Sequence, residues 1–268
     1  MLTRKMLIAS AMLAAGALYA QDIELETTES WGNPKNVKAV DGNILEMTGR
    51  TELRSSTVFE VDPAKTYKIS GELRQTAGEA TRTYVGFVTL DEKKRNISAW
   101  NFNAIPGTDT ELVEELKPTD TTLKVKDASK WEKRTKYSRI MLGVADDYSD
   151  LPNFNYIAYE ITDVKKDGDV WIATLDKPAK KAAKAGTKIR LHNSGGYMYT
   201  GGSHATKAGD DWKQFSGSIK GHGKYGYSAY KAWPPGTAYA QVLILANWNS
   251  GKSPDVLQLK DVKLEVID

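Results

Sequence analysis

The feature that most constrains this chain is an apolar pattern that keeps period two and never sustains a period of 3.6. Beyond residue 20 the apolar runs are short, rich in β-branched and aromatic residues, and closed by turn-forming residues. Tyr67-Lys68-Ile69-Ser70-Gly71-Glu72-Leu73 alternates as a strand with one buried face does. Val58-Phe59-Glu60-Val61 stops at Asp62-Pro63, and Tyr84–Leu90 and Ile97–Phe102 flank a charged turn, Asp91–Asn96, that reads as a hairpin. Ala238–Ala246 is the most apolar strand, and Val256–Val266 alternates again. The best helical candidates, Asp109–Leu116 and Lys177–Lys184, are short. The chain is predicted to be all-β. With 268 residues, 40% of them hydrophobic, it has side chain enough for a sizeable core.

The stretch from Val113 to Asn193 has its own rhythm. Thr121–Val125, Arg139–Val144, Ile157–Val164, Val170–Leu175 and Lys188–Leu191 read as strands, and Asp167-Gly168 favours a tight hairpin turn. This is the expected signature of a small β-barrel or sheet module, 113–193, inserted into a β-sandwich built from 21–112 and 194–268.

Residues 1–20 read as an export signal. Arg4 and Lys5 precede an almost wholly apolar run from Met6 to Leu18, and small residues follow. The run is about thirteen residues, short of the roughly 20 a bilayer-spanning helix needs. Cleavage is expected after Ala20, with Ala17 as the alternative. The protein is then secreted, periplasmic or held at the cell surface, with no membrane span.

Thirty-seven basic residues face thirty-four acidic ones, and Arg4 and Lys5 leave with the leader. A nearly neutral chain argues against nucleic-acid binding, which concentrates basic charge. Zero Cys excludes a disulfide scaffold, a thiol nucleophile and Cys-ligated zinc, and three His leave little for a His-based metal centre. Nucleophile-elbow, zincin and phosphate-loop motifs are missing from the sequence.

Four pieces of the outer segments carry a resemblance: Val61-Asp62-Pro63-Ala64-Lys65-Thr66-Tyr67-Lys68-Ile69-Ser70-Gly71, Trp212-Lys213-Gln214-Phe215-Ser216-Gly217, Pro235–Val242 and Leu259–Glu265. In this order they resemble the strands of jelly-roll carbohydrate-binding modules of the galactose-binding-like type. The resemblance implies a jelly-roll β-sandwich with Trp212 and Phe215 in its core. It also implies a structural Ca²⁺ held by Asp261 with an amino-terminal carboxylate, Glu24 or Asp22. The inserted segment, through Thr121–Ser129, Leu175–Pro178 and Ala185–Ile189, is similar to a small β-module of secreted and phage-associated proteins.

Sugar recognition needs flat apolar faces for pyranose C–H groups and planar polar groups for hydroxyls. Trp100 beside Asn101, Trp233 before two prolines, and Trp248 between Asn247 and Asn249 are the candidate platforms. On the strand around residue 241, alternation places Gln241 and Asn247 on one face with Tyr239, Leu243 and Leu245. The expected ligand-binding set is Trp100, Asn101, Trp233, Gln241, Asn247 and Trp248, with a polysaccharide or glycan as partner and no catalytic residue. The Gly- and Tyr-rich stretch 194–236 suits a binding surface, and the acidic loop Asp146-Asp147-Tyr148-Ser149-Asp150 is a second Ca²⁺ candidate. Two other functions stay open. One is a jelly-roll polysaccharide lyase or hydrolase, since Arg50-Thr51-Glu52-Leu53-Arg54 resembles an alginate-lyase strand and Tyr225–Lys231 its Tyr-Lys strand, though no Gln-Ile-His follows. The other is a structural envelope or matrix component.

Overall fold

The computed structural model describes residues 22–32, 35–79, 81–132, 138–157, 160–193, 198–199, 209–223, 231–248 and 255–268. The expected leader lies outside them. The fold is all-β. Two six-stranded antiparallel sheets face each other. The back sheet runs β17 (Lys213–Ile219), β7 (Thr66–Ala77), β19 (Val256–Ile267), β4 (Ile44–Thr48), β3 (Val37–Asp41), with β1 (Ile23–Glu24) also on β19. The front sheet runs β16 (Met198–Tyr199), β8 (Tyr84–Leu90), β18 (Tyr239–Ala246), β5 (Thr51–Ser55), β2 (Trp31–Gly32), with β6 (Phe59–Glu60) also on β18.

Alternation in the sequence becomes burial between these layers. Tyr67, Ile69 and Leu73 of β7, Leu257, Leu259 and Leu264 of β19, and Val85, Phe87, Val242 and Ile244 of the front sheet share one apolar cluster. Gly71 of β7 lies close against that cluster: a Cβ there would lie 2.7 Å from the Phe215 ring. Phe215 is in the core as expected, but Trp212 is not. Along β17, Phe215 and Ile219 turn inward, so a residue three places before Phe215 faces out. Trp212 is half-buried on the outer back face, with the Arg74 guanidinium 4.5 Å and the Lys260 ammonium 4.7 Å from its ring.

A second apolar cluster runs from Leu112 to Leu191, with Ile105 packed against it. It lies among the sheet β12 (Tyr156–Ile157), β11 (Ser138–Leu142), β15 (Lys188–Asn193), β9 (Thr110–Glu111) and the sheet β10 (Thr122–Val125), β14 (Val170–Leu175), β13 (Ile161–Asp167). The Asp167↔Val170 hairpin forms with Gly168 at φ +59°. The segments 109–116 and 177–184 are not helical. Thr110–Glu111 pairs with β15, and Leu112 and Leu116 bridge to Val125 and Ala183. Leu112 and Ile105 thus pack with this second cluster, while Ile97, Ala99 and Phe102 pack in the first. Residues 97–102 also differ from the expected strand. After a bridge from Asn96 to Leu90 the chain enters a 3-10 turn, Ala99–Asn101, with a capping box between Ser98 and Asn101.

Candidate functional site

The front sheet has two apolar sides, and its outer side carries aromatic rings. On β18 Ala240, Val242, Ile244 and Ala246 enter the main core, while Leu243 and Leu245 join Val88 and Leu90 in a separate buried cluster. Tyr84, Tyr199, Tyr239 and Trp248, all half-buried, pack against this bed. Tyr199 stands opposite Gly86, whose missing side chain leaves the rings room to meet; the Tyr84 and Tyr199 centroids are 4.8 Å apart. The row continues from Gly86 to Leu243, Arg54 and Gly32 across the sheet.

Polar groups border the rings. Gln241 Nε2 donates to the Ser55 carbonyl at 2.7 Å, leaving Oε1 with no protein partner among the described residues. Arg54 Nε donates to Glu52 Oε1 at 2.7 Å. The Arg50 guanidinium lies 3.5 Å above the Trp248 ring, and the Lys94 ammonium 5.5 Å from the Tyr239 ring.

Of the residues expected to bind, Gln241 and Trp248 lie on or beside this face, and the other four have other positions. Trp233 is fully buried, edge-on to Tyr67 at 5.2 Å and tilted to Phe87 at 5.0 Å. It offers a ligand no surface. Asn101, 1% exposed, accepts from the Ser98 backbone N–H and donates to the Asn153 carbonyl. Trp100 is half-buried against the second body, with the Arg139 guanidinium 4.9 Å over its ring and the Tyr156 ring at 6.4 Å.

Asn247 falls one residue past β18, where φ of +51° breaks the alternation and turns the side chain inward. Its Nδ2 contacts the carbonyls of Gly49 (3.0 Å), Asp255 (3.1 Å) and Met47 (3.4 Å), and its Oδ1 accepts from Thr81 Oγ1. Asn247→Asp should lower stability by about 2 kcal/mol, because a carboxylate oxygen would replace the donor before those carbonyls. A urea-unfolding midpoint equal to that of the unchanged protein would contradict this role.

The Ca²⁺ expectation does not fit these donors. Asp261, at a bulge in β19 with φ of +52°, accepts from Asn43 Nδ2 at 2.6 Å and has the Lys260 ammonium 3.8 Å away. Glu24 is exposed on β1 opposite Lys263, and Asp22 accepts from the Val266 backbone N–H. A cation needing six to eight oxygens finds amide and ammonium groups beside these carboxylates. In the acidic loop Asp150 accepts from the Ala145 N–H and pairs with Arg190, Asp146 pairs with Lys188, and Asp147 accepts from the Ser149 N–H. Among the described residues no three His, Asp or Glu converge as metal ligands. Within the Gly- and Tyr-rich stretch, residues 194–197, 200–208 (His204 among them) and 224–230 lie outside the described residues. The Tyr-Lys part of the lyase resemblance falls there, apart from Lys231.

The tyrosines are what sequence reasoning missed. In Tyr84-Val85-Gly86-Phe87-Val88-Thr89-Leu90 the same period-two reading that was applied to β18 puts Tyr84 opposite in face to Phe87, alongside Val88 and Leu90.

Neither protein-family models nor curated proteins match the chain. Among solved structures it is similar to the CBM22-1 xylan-binding domain from Paenibacillus barcinonensis Xyn10C, with 12% identity over 92% of this chain and 93% of that one, and a TM-score of 0.32. So loose a superposition puts no residue of the two chains in correspondence.

Proposed function

We propose that this is an exported, non-catalytic carbohydrate-binding protein whose outer front face holds a polysaccharide strand. The observation that carries this reading is the gathering of Tyr84, Tyr199 and Tyr239 over a buried aliphatic bed, with Gln241 between strands. Tyrosine rings provide apolar faces for sugar C–H groups with little conformational freedom to lose, and the Gln241 carbonyl oxygen accepts from a hydroxyl. The leader read in residues 1–20 sends such a surface to where polysaccharides are found. An open platform of this kind binds in the micromolar to millimolar range per site, about 4–8 kcal/mol.

Affinity electrophoresis through gels containing neutral or acidic polysaccharides tests the reading. Retarded migration without product release is expected, and Tyr239→Ala and Gln241→Ala should each weaken retardation about tenfold while leaving thermal melting nearly unchanged. Migration unaffected by every polymer would leave the structural envelope or matrix role. Absorbance growth from unsaturated uronate would identify a lyase.

A further inference from the structure

The front face ends, at the β2–β5 edge, in a groove of about 490 Å³ lined by Gly32, Lys35, Asn36, Arg50, Glu52 and Arg54. Its charges are not balanced. Arg54 and Glu52 neutralise each other, with Arg54 Nη2 2.7 Å from Glu52 Oε1. Lys35 and Arg50 are exposed, and among the described residues neither has an acidic partner. The outer back face shows what a balanced sheet surface looks like in this protein. There Lys68 and Lys263 meet Glu265, Lys260 meets Glu72, and Lys38 meets Glu46. The groove thus keeps two cations where the back face would have supplied acids. Arg50 is also anchored: its guanidinium carbon lies 3.5 Å from the centroid of the Trp248 ring, and a guanidinium edge suits a planar pair of oxygens.

Resting on the front-face reading, we propose that the polysaccharide is acidic, and that Lys35 and Arg50 receive the carboxylate of a uronic acid unit at the end of the tyrosine platform. Trp248 holds Arg50 in place, and a guanidinium edge meets a carboxylate through paired, charge-assisted hydrogen bonds. Lys35 adds a second charge to the same groove. Neutral sugars reach the tyrosines but gain nothing from this end.

The test uses the full chain with polygalacturonate, a heavily sulfated glycan and an uncharged xylan as probes, in affinity electrophoresis and in titration calorimetry at low and physiological salt. Polygalacturonate is expected to bind at least about tenfold more tightly than uncharged xylan at low salt, and to lose most of that advantage as salt rises. Arg50→Gln and Lys35→Gln should each reduce the acidic-over-neutral preference about three- to tenfold, and the exposed Lys35→Gln, which removes no packing, keeps the test valid if Arg50→Gln melts early. Equal binding of acidic and neutral polymers, or a preference indifferent to both substitutions, would overturn the charge assignment while leaving the front-face reading standing. Stronger retention of the sulfated glycan than of polygalacturonate would overturn the carboxylate. Binding of none of the three would remove the front-face reading, and this inference with it.

Discussion

Trp233→Ala should destabilise the protein by about 3–5 kcal/mol, the range for deleting a large aromatic from a packed core. For a domain of this size that corresponds to a melting temperature roughly 6–20 °C lower. The ring is fully buried between Tyr67 of the back sheet and Phe87 of the front sheet, so its loss opens a void where the two layers meet. The backbone adds to this. Trp233 N–H donates to the Gly221 carbonyl and its own carbonyl accepts from Gly223 N–H, tying the chain around 221–223 to the core. The contrast with the outer face is the informative part. Tyr239→Ala takes a half-buried ring off a surface and should shift melting by far less, while weakening polymer binding. Chemical unfolding of both variants beside affinity electrophoresis measures the two effects separately. A Trp233→Ala protein that melts normally and loses binding would put that ring on the ligand surface and undo the site as drawn.

The strands were legible because their information is local. Tyr84–Leu90, 239–246 and 256–267 could be read from alternation and turn residues alone, since each strand's own pattern decides which side is buried. Trp212 was legible too, had spacing been weighed above likeness. Trp-x-x-Phe places the two rings on opposite faces of a strand, and the structure puts Phe215 inside and Trp212 against Arg74 and Lys260. The site was harder, because the positions of its rings depend on partners distant in sequence. Trp233 sits among Gly and Pro residues that signal irregular backbone, and nothing nearby says that its ring meets Tyr67 and Phe87. Asn247 continues the alternation of β18 on paper. One left-handed residue reverses its side chain, which amide-bearing Asn tolerates better than most. Arg50 and Trp248 are nearly two hundred positions apart, and only the pairing of β5 with β18 brings them together. Leu112 and Leu116 show the same limit in reverse. Their spacing of four suits a helix face, yet long-range pairing gives this stretch its hydrogen bonds and the helix never forms.

The same non-local logic governs how the sandwich and the second body are joined, and it predicts a pH dependence. His192 of β15 is fully buried; its Nδ1 donates to the Trp100 carbonyl at 2.7 Å and its Nε2 accepts from Arg190 Nε at 3.1 Å. A carbonyl can only accept and a guanidinium can only donate, so both bonds require the neutral ring with its proton on Nδ1. Arg190 in turn reaches both oxygens of Asp150 at 3.1 Å and Asp109 at 3.3 Å. Burial, with the Arg190 cation adding to it and the Trp100 carbonyl and Asp150 opposing it, lowers the His192 pKa to about 4. In the unfolded chain the same imidazole titrates near 6.5. Between these values the unfolded chain binds the extra proton and the folded one does not, so stability falls as the solution is acidified from about pH 6.5 towards 4. Above pH 6.5 this group contributes no slope. A displacement of this size amounts to a loss on the order of 3 kcal/mol by pH 4. His192→Gln, which cannot take up the proton, should be less stable than the unchanged protein at pH 7.5 and should lack this part of the acid slope. Urea-unfolding free energies measured from pH 7.5 to 4 for both proteins decide it, and parallel curves would show that acid acts elsewhere. The joint would then rest on its other contacts: the reciprocal Asn101–Asn153 bonds, Asn193 N–H to the Asn103 carbonyl, and the Trp100 ring under Arg139.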